Sequence, residues 1–535
     1  MQSRVPEQAQ DAGERLYHFH GGLNLRHNKA ISCDAPLLRA PLPPCLFIPL
    51  LQHAGQEARP LVSVGQAVLK GEAIGQFESP CTGYVHAPTS GSVVALAAQA
   101  ITHPSGMDGL CVVLKPDGVD QWIELKAAPD WASRGTGFLR QRIRDSGIVG
   151  LGGAVFPTGL KVDEAKESAI HTLILNGVEC EPYISCDEML MREHPGSVIS
   201  GALVLQAALG ARRTIITIED QMGAVSQSLG TVIERAGHDS IRVVRVPAVY
   251  PEGGEKQLVQ VLTGLEIPAG GKPSDLGLVC LNVATAAAVA DAVIEGKPLV
   301  ERLVTISGNG VQHPRNLWAR IGTPIASLID CCGGYSSNAA RLILGGPMMG
   351  YALASDQNPM VKAANCILVL SDDDIRPAQA EMPCIRCGEC ARVCPAVLLP
   401  QTLHWQIRNE LLDDAAGCGL NECIECGCCD FVCPSHIPLV EWFRFGKSEM
   451  RSLAAERGRA EIARERFEAR EARLERLKHA RRQRIEEKKQ ALLDDAEKKR
   501  RIAATLQRVQ ARGDAARNPL AGTKDDQGPG DPGKP

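Results

Sequence analysis

Apolar residues fall in different rhythms along the chain. Over residues 62–71 and 85–93 they come as short runs cut by glycine, the mark of brief strands joined by turns. Around Ile174 and Ile218, β-branched runs end in Asn176 and in Glu219-Asp220, which predicts strand ends of an α/β layer. Short strands and turns return at 304–308 and 342–350. From 401 to 416 the spacing becomes helical, with Leu403, Ile407, Leu411 and Leu412 on one side. From Trp442 to about Arg512 there is no proline and little apolar character. Opposite charges recur there three and four residues apart, as at Glu461, Arg464 and Glu465, and predict a solvated helix.

A chain of 535 residues exceeds the size at which one core keeps growing, so three or four domains are expected. The formal charge of −4 hides a division. Residues 447–512 carry 21 Lys and Arg against 12 Asp and Glu, a segment of +9 that leaves −12 on residues 1–446. Residues 1–16 are polar, without the apolar stretch of a signal peptide. The longest apolar candidate, 276–294, is broken by Asn282, Thr285 and Asp291, so no span across a membrane is expected. Of the 20 cysteines, twelve are scattered without framework spacing, which suits a reducing compartment and a cytoplasmic protein.

The other eight cysteines carry the chemistry. Cys384, Cys387, Cys390 and Cys394-Pro395 repeat as Cys423, Cys426, Cys429 and Cys433-Pro434. Three thiolates on one tight loop grip three irons of a cubane, and the cysteine before the proline of the other copy completes the fourth. This spacing assigns Cys384, Cys387, Cys390 and Cys433 to one [4Fe-4S] cluster, and Cys423, Cys426, Cys429 and Cys394 to another. Zinc needs only four ligands, usually two separated Cys-x2-Cys pairs, and fits the repeat less well. Cys418 and Cys428 lie outside the pattern and are read as non-ligands.

Two clusters move single electrons, so a partner that handles electron pairs is expected upstream. Residues 147–161 hold Gly147, Gly150, Gly152, Gly153 and Gly159, ending in Lys161. Such glycine density lets backbone approach a ligand closely, and a following lysine suits a phosphate. The loop has neither the Walker ending nor the dinucleotide fingerprint. Asn176-Gly-Val-Glu179-Cys-Glu181-Pro182 follows, then Tyr250-Pro-Glu-Gly253-Gly254-Glu255-Lys256 and Asn282.

Together these segments resemble the flavin-binding core of the NADH-oxidising subunit of respiratory complex I. The chain departs from it at Leu151, Val155, Val178 and Gly254, where that family has Arg, Gly, Asp and Glu. The segments at 62–71 and 85–93 resemble the barrel-sandwich hybrid of biotinyl and lipoyl carriers, but residues 76–83 between them hold no lysine to modify. With the double cysteine motif, the whole chain resembles the RnfC (RsxC) family of the Rnf (Rsx) ion-translocating electron-transport complexes.

That resemblance implies a multidomain α/β protein. Its parts are a barrel-sandwich hybrid over 1–125, an FMN- and NADH-binding domain over 126–298, and an SLBB-like β-grasp over 299–360. A two-[4Fe-4S] ferredoxin domain over 361–446, a charged helix over 447–512 and a disordered tail over 513–535 follow. It implies noncovalent FMN held by Gly150, Gly152, Gly153 and Lys161, in a pocket with Asn176, Glu179, Glu181, Tyr250, Gly253, Glu255 and Asn282. No catalytic acid or base is expected. The implied partners are NAD(H), integral membrane subunits of the same complex and a ferredoxin or ferredoxin-like subunit, with no nucleic acid. The implied place is peripheral, on the cytoplasmic side of a bacterial inner membrane. Two other readings compete: an iron–sulfur wire whose flavin site has decayed, and the diaphorase subunit of a soluble hydrogenase or formate dehydrogenase.

Overall fold

The computed structural model describes residues 12–53, 55–78, 83–165, 168–375, 377 and 379–515. It divides into two units, 1–447 and 448–535.

In the first unit, the glycine-cut segments form two small antiparallel sheets. One runs in the order Leu46–Pro49, Asp108–Pro116, Gly91–Ala100, Ala67–Val68, and the other Arg59–Pro60, Ala73–Phe77, Gly83–His86. Alternation places Leu46, Ile48 and Leu50 inward against Ile74, Val85, Val112 and Leu114, the core of this domain.

The α/β layer is a four-stranded parallel sheet in the order Ile241–Val246, Arg213–Glu219, Thr172–Gly177, Leu278–Asn282. Its strands are apolar on both faces, as at Leu173, Ile174 and Leu175, because helices cover both sides. Helices Pro195–Leu209 and Val283–Ala290 cross at Gly201, where a Cβ would lie 1.8 Å from the Ala286 carbonyl oxygen. Polar residues gather where the strands end, at Asn176, Glu219 and Asn282. In open parallel sheets that edge is where ligands bind.

A six-stranded sheet follows, in the order Leu38–Arg39, Arg315–Arg320, Glu301–Ser307, Cys366–Ser371, Ala339–Leu344, Tyr351–Ala352. Cys366–Ser371 lies inside this sheet, parallel to Glu301–Ser307, so the sheet runs past the boundary expected at 360. Its partners are Ala339–Leu344, antiparallel, and Glu301–Ser307, parallel and some sixty residues upstream. The edge strand Leu38–Arg39 comes from farther still.

The cysteine-rich segment carries the short helices Glu389–Arg392, Pro400–Arg408, Leu412–Gly417 and Cys428–Phe431. The helix expected over 401–416 is thus two helices. Glu410 takes φ +59°, and the N–H groups of Glu410 and Leu411 donate to the Ile407 and Gln406 carbonyls at 3.1 and 2.9 Å. That is the Schellman closure of a helix, made here without glycine. Leu403 and Ile407 are buried, whereas Leu411, beyond the break, is exposed.

Helix Leu439–Ala515 starts before and ends after the span expected for the charged helix. In the second unit, nearly all side chains over 448–513 are exposed, and ion pairs such as Arg464 with Glu461 and Glu468 lie along it. Of the tail expected to be disordered, 513–515 are helical and the rest lies outside the described residues. Among the described residues, no helix is long and apolar enough to cross a membrane.

Candidate functional site

A cavity of about 920 Å³ opens at the C-terminal ends of the parallel strands. Gly152 and Gly153 line it, as do Asn176, Glu179, Glu181, Tyr250, Gly253, Glu255 and Asn282. Gly150 and Lys161 do not. The glycine-rich loop is pinned from behind. Gly150 N–H donates to the Phe156 carbonyl at 2.8 Å, Leu151 N–H to Thr285 Oγ1 at 2.9 Å, and Arg302 Nη2 to the Leu151 carbonyl at 3.0 Å. The departures from the complex I pattern have structural consequences. Leu151 is buried in the core, and Val155 holds φ +45°, a backbone shape glycine adopts freely but a β-branched residue rarely does.

Each polar side chain on the wall has a defined task. Asn176 Nδ2 donates to the Gly253 carbonyl at 2.8 Å while its Oδ1 accepts from Val178 N–H at 3.0 Å. Asn282 caps helix Val283–Ala290, accepting from Ala284 and Thr285 N–H, and its Nδ2 donates to Asp187 Oδ2 at 2.5 Å. Glu179 accepts from Asp187 N–H at 3.0 Å and Glu188 N–H at 3.2 Å, at the start of helix Cys186–Glu193. Glu181 Oε1 accepts from both Met348 and Met349 N–H at 2.8 Å, which seats the Gly345–Gly350 turn against the cavity. Lys161 bonds Glu255, so this lysine reaches the cavity only through its partner.

Burial governs the ionisation of the wall. It raises the carboxyls of Glu181 and Asp187, and it pushes Glu179 up to about 8 against the opposing pull of Lys29. Lys29 comes from the N-terminal arm. Burial alone would lower it, but Glu179, Glu219 and Glu188 together raise it. Glu179, Cys186 and Asp187 bring donor atoms within 4.8 Å of one another, yet the Lys29 ammonium already supplies the positive charge there.

The cysteines gather in two places. Cys394, Cys423, Cys426 and Cys429 line one small pocket together with Cys428; Cys384, Cys387, Cys390 and Cys433 line a separate groove. Each place therefore takes three thiols from one loop and one from the other. Cys428, read as a non-ligand, is fully buried beside the first set, and Cys418 accepts from Gln406 Nε2 at 3.3 Å, outside both. Tyr250 joins the first set to the strand-end cavity. It lines the cavity and donates its hydroxyl to the Cys426 carbonyl at 2.6 Å. The arm completes this contact: Gly22 N–H donates to the Val393 carbonyl at 3.0 Å, His20 Nδ1 lies 3.0 Å from the Cys394 carbonyl, and Leu23 bridges Tyr250.

Sequence reasoning did not find Lys29, Asp187, Gln257 or the loops around Gln52 and Thr102 that also line or back the cavity. Asp187 lies in the Cys-Asp-Glu-Met run that follows Ile184, the one local signal among them. Gln257 directly follows the 250–256 segment, and the rest come from remote parts of the chain. The thiol sets have the donor chemistry of iron–sulfur ligation, and the cavity's size and its glycine-lined edge fit a flavin-sized ligand.

Comparison with known proteins adds to this geometry. Residues 17–119 match the family described as RnfC barrel sandwich hybrid domain, 143–291 the Nuo51 FMN-binding domain, and 303–352 the SLBB domain. The chain is 46% identical over 501 residues to the RnfC-type subunit of the ion-translocating oxidoreductase complex of Edwardsiella ictaluri, covering 93% of this chain and 62% of that one. It is 45% identical over 461 residues to that of Pseudomonas aeruginosa, covering 86% and 59%. For Salmonella gallinarum the figures are 43% over 507 residues, covering 95% and 74%. The chain thus spans about three-fifths of the length of the first two relatives. A solved NAD+-reducing [NiFe]-hydrogenase aligns over 55% of each chain with a TM-score of 0.41 at 18% identity, too distant to bear on function.

Proposed function

Since the chain belongs to the RnfC family of ion-translocating oxidoreductase complexes, we propose that it carries electrons between NAD(H) and ferredoxin-type carriers for a membrane-bound complex. In this reading it holds FMN in the strand-end cavity and two [4Fe-4S] clusters on the eight cysteines. The flavin, when bound, converts between paired and single electron transfer. The chain's own residues bind and align. Gly152 and Gly153 would present backbone to the flavin phosphate, Gly150 would hold the loop behind them, and Lys161 paired with Glu255 would set the charge nearby. Asn176, Glu179, Glu181, Tyr250, Gly253 and Asn282 shape the rest of the pocket.

The observation that carries the reading is the shared wall. Tyr250 belongs to the cavity, and its hydroxyl holds the carbonyl of Cys426. Cys394, Cys423, Cys426 and Cys429 would then hold the cluster nearer the cavity and Cys384, Cys387, Cys390 and Cys433 the outer one, each supplying one-electron transfer. Integral membrane subunits supply ion movement, and the chain sits against them on the cytoplasmic side of the inner membrane.

Anaerobic NADH titration of the reconstituted full chain tests this. Flavin and cluster absorbance should bleach together, with no added mediator. Bleaching of neither sinks the reading. A second reading, a wire without flavin, draws on Lys161 being engaged by Glu255 and standing off the cavity wall. Under it, the reconstituted chain retains no flavin, and Lys161→Glu changes nothing. Under the reading preferred here, Lys161→Glu loses flavin and keeps both clusters.

A further inference from the structure

Behind the cavity wall, several buried carboxyls share one lysine. Glu179 faces the cavity, and the Lys29 ammonium behind it bonds the Glu179 backbone carbonyl. That ammonium lies 3.9 Å from Glu179 Oε2 and 3.4 Å from Glu219 Oε2. Glu219, fully buried at its strand end, also accepts from Nε2 of Gln221 at 2.8 Å, and Gln221 and Asp220 are exposed. Side chains therefore run without a gap from the cavity, through the wall, to solvent.

The charge balance of this wall favours bound protons. Around Glu179 and its lysine lie Cys186, Asp187 and Glu188 from their helix, Cys180 from its own loop, Lys29 from the arm, Glu219 from the strand end, and Arg302 beside Cys186 and Asp187. Glu252 adds another buried carboxyl, and neither of its oxygens accepts a hydrogen bond. Lys29 and the buried Arg302, which acts on Asp187, are two cations and cannot neutralise Glu179, Asp187, Glu219 and Glu252 together. Like charges at such spacing in a dry site do not all ionise. Burial accordingly raises both Glu179 and Glu252 to about 8.

We propose that Glu179 is a proton-exchange site on the cavity wall, connected to solvent through Lys29, Glu219 and Gln221. The proposal rests on the NADH-oxidising reading for the source of its proton. Oxidation of one NADH yields NAD+, two electrons and one proton. The electrons leave singly to the two four-cysteine sites, and the proton must leave the cavity by another route. Glu179 takes that proton as its own passes outward along the Lys29, Glu219 and Gln221 contacts to solvent. Lys29 keeps Glu179 within reach of ionisation.

Two measurements test this, one without any cofactor. In the full chain free of cofactors, infrared titration should show protonated carboxyl absorption that fades as pH rises through about 8. Glu179→Gln should remove part of it, Glu252→Gln should remove a separate part, and Lys29→Met should move the Glu179 part to higher pH. In the loaded chain, Glu219→Gln should slow NADH-driven cluster reduction roughly tenfold, below the effect of losing a group that transfers the proton directly. It should enlarge the solvent deuterium effect and leave NAD+ affinity unchanged. An infrared titration unaltered by Glu179→Gln, or a Glu219→Gln chain with wild-type rate and pH profile, overturns the proposal. A loaded wild-type chain that cannot oxidise NADH overturns the functional reading instead, and the cofactor-free titration still decides whether Glu179 holds a proton.

Discussion

The two cysteine sets share one sequence pattern and live in opposite surroundings. Cys394, Cys426 and Cys429 are buried, with Tyr250 and the N-terminal arm bonded to the backbone around them. Cys384 and Cys387 are exposed, beside exposed Met382, Ile385 and Trp405. Identical spacing fixes which thiols cooperate, but what packs around them fixes which set faces inward. Electrostatics follow the same division, since a buried set in low dielectric responds more strongly to each neighbouring dipole than an exposed one.

The sharpest way to break this comparison is to remove one thiol from each set. Cys394→Ala and Cys384→Ala should each lower iron from about eight to about four atoms per chain. Only Cys394→Ala should leave the surviving cluster beyond the reach of NADH, and equal behaviour of the two variants would dissolve the distinction. Next in size is Gly21→Ala. A Cβ there would sit 2.5 Å from the Val393 carbonyl group, on a residue with φ +73°. We expect a loss of about 1–3 kcal/mol in denaturant unfolding, typical of overpacking, and an altered spectrum of the buried cluster alone. Tyr250→Phe should cost about 1 kcal/mol, the worth of one hydrogen bond, and slow electron entry while leaving the exposed cluster unchanged. Smallest of all, deletion of residues 451–535 should alter neither iron content nor NADH oxidation, because Cys433 precedes the cut.

What was legible in the sequence was local. Eight cysteines at fixed offsets lie in two groups of four, and the glycine loop, Asn176 and Asn282 lie where strands end. Local motifs mark these residues, and strand pairing and the packing of the two loops bring them together. Lys29 was illegible, because its partners Glu179 and Glu219 are 150 and 190 residues away and its own neighbours are ordinary polar loop. Strand Cys366–Ser371 and the break at Glu410 failed for related reasons. The strand's place depends on a distant parallel partner, and the break uses a residue with no sequence mark for positive φ. Lys161 shows what a motif alone leaves out. Its motif position suggested a phosphate ligand, and its nearest partner is a carboxylate of the same pocket.

The arm also orders events during synthesis. His20 meets the Cys394 carbonyl across 374 residues of chain, an interval of roughly 20–75 s at ordinary elongation rates. Until Val393 and Cys394 have left the ribosome, His20 and Gly22 lack their partners there, although Leu23 can already pair with Tyr250. Residues made among the first thus become ordered among the last. A nascent chain halted before Cys394 would expose this segment to protease, and one released after it would not.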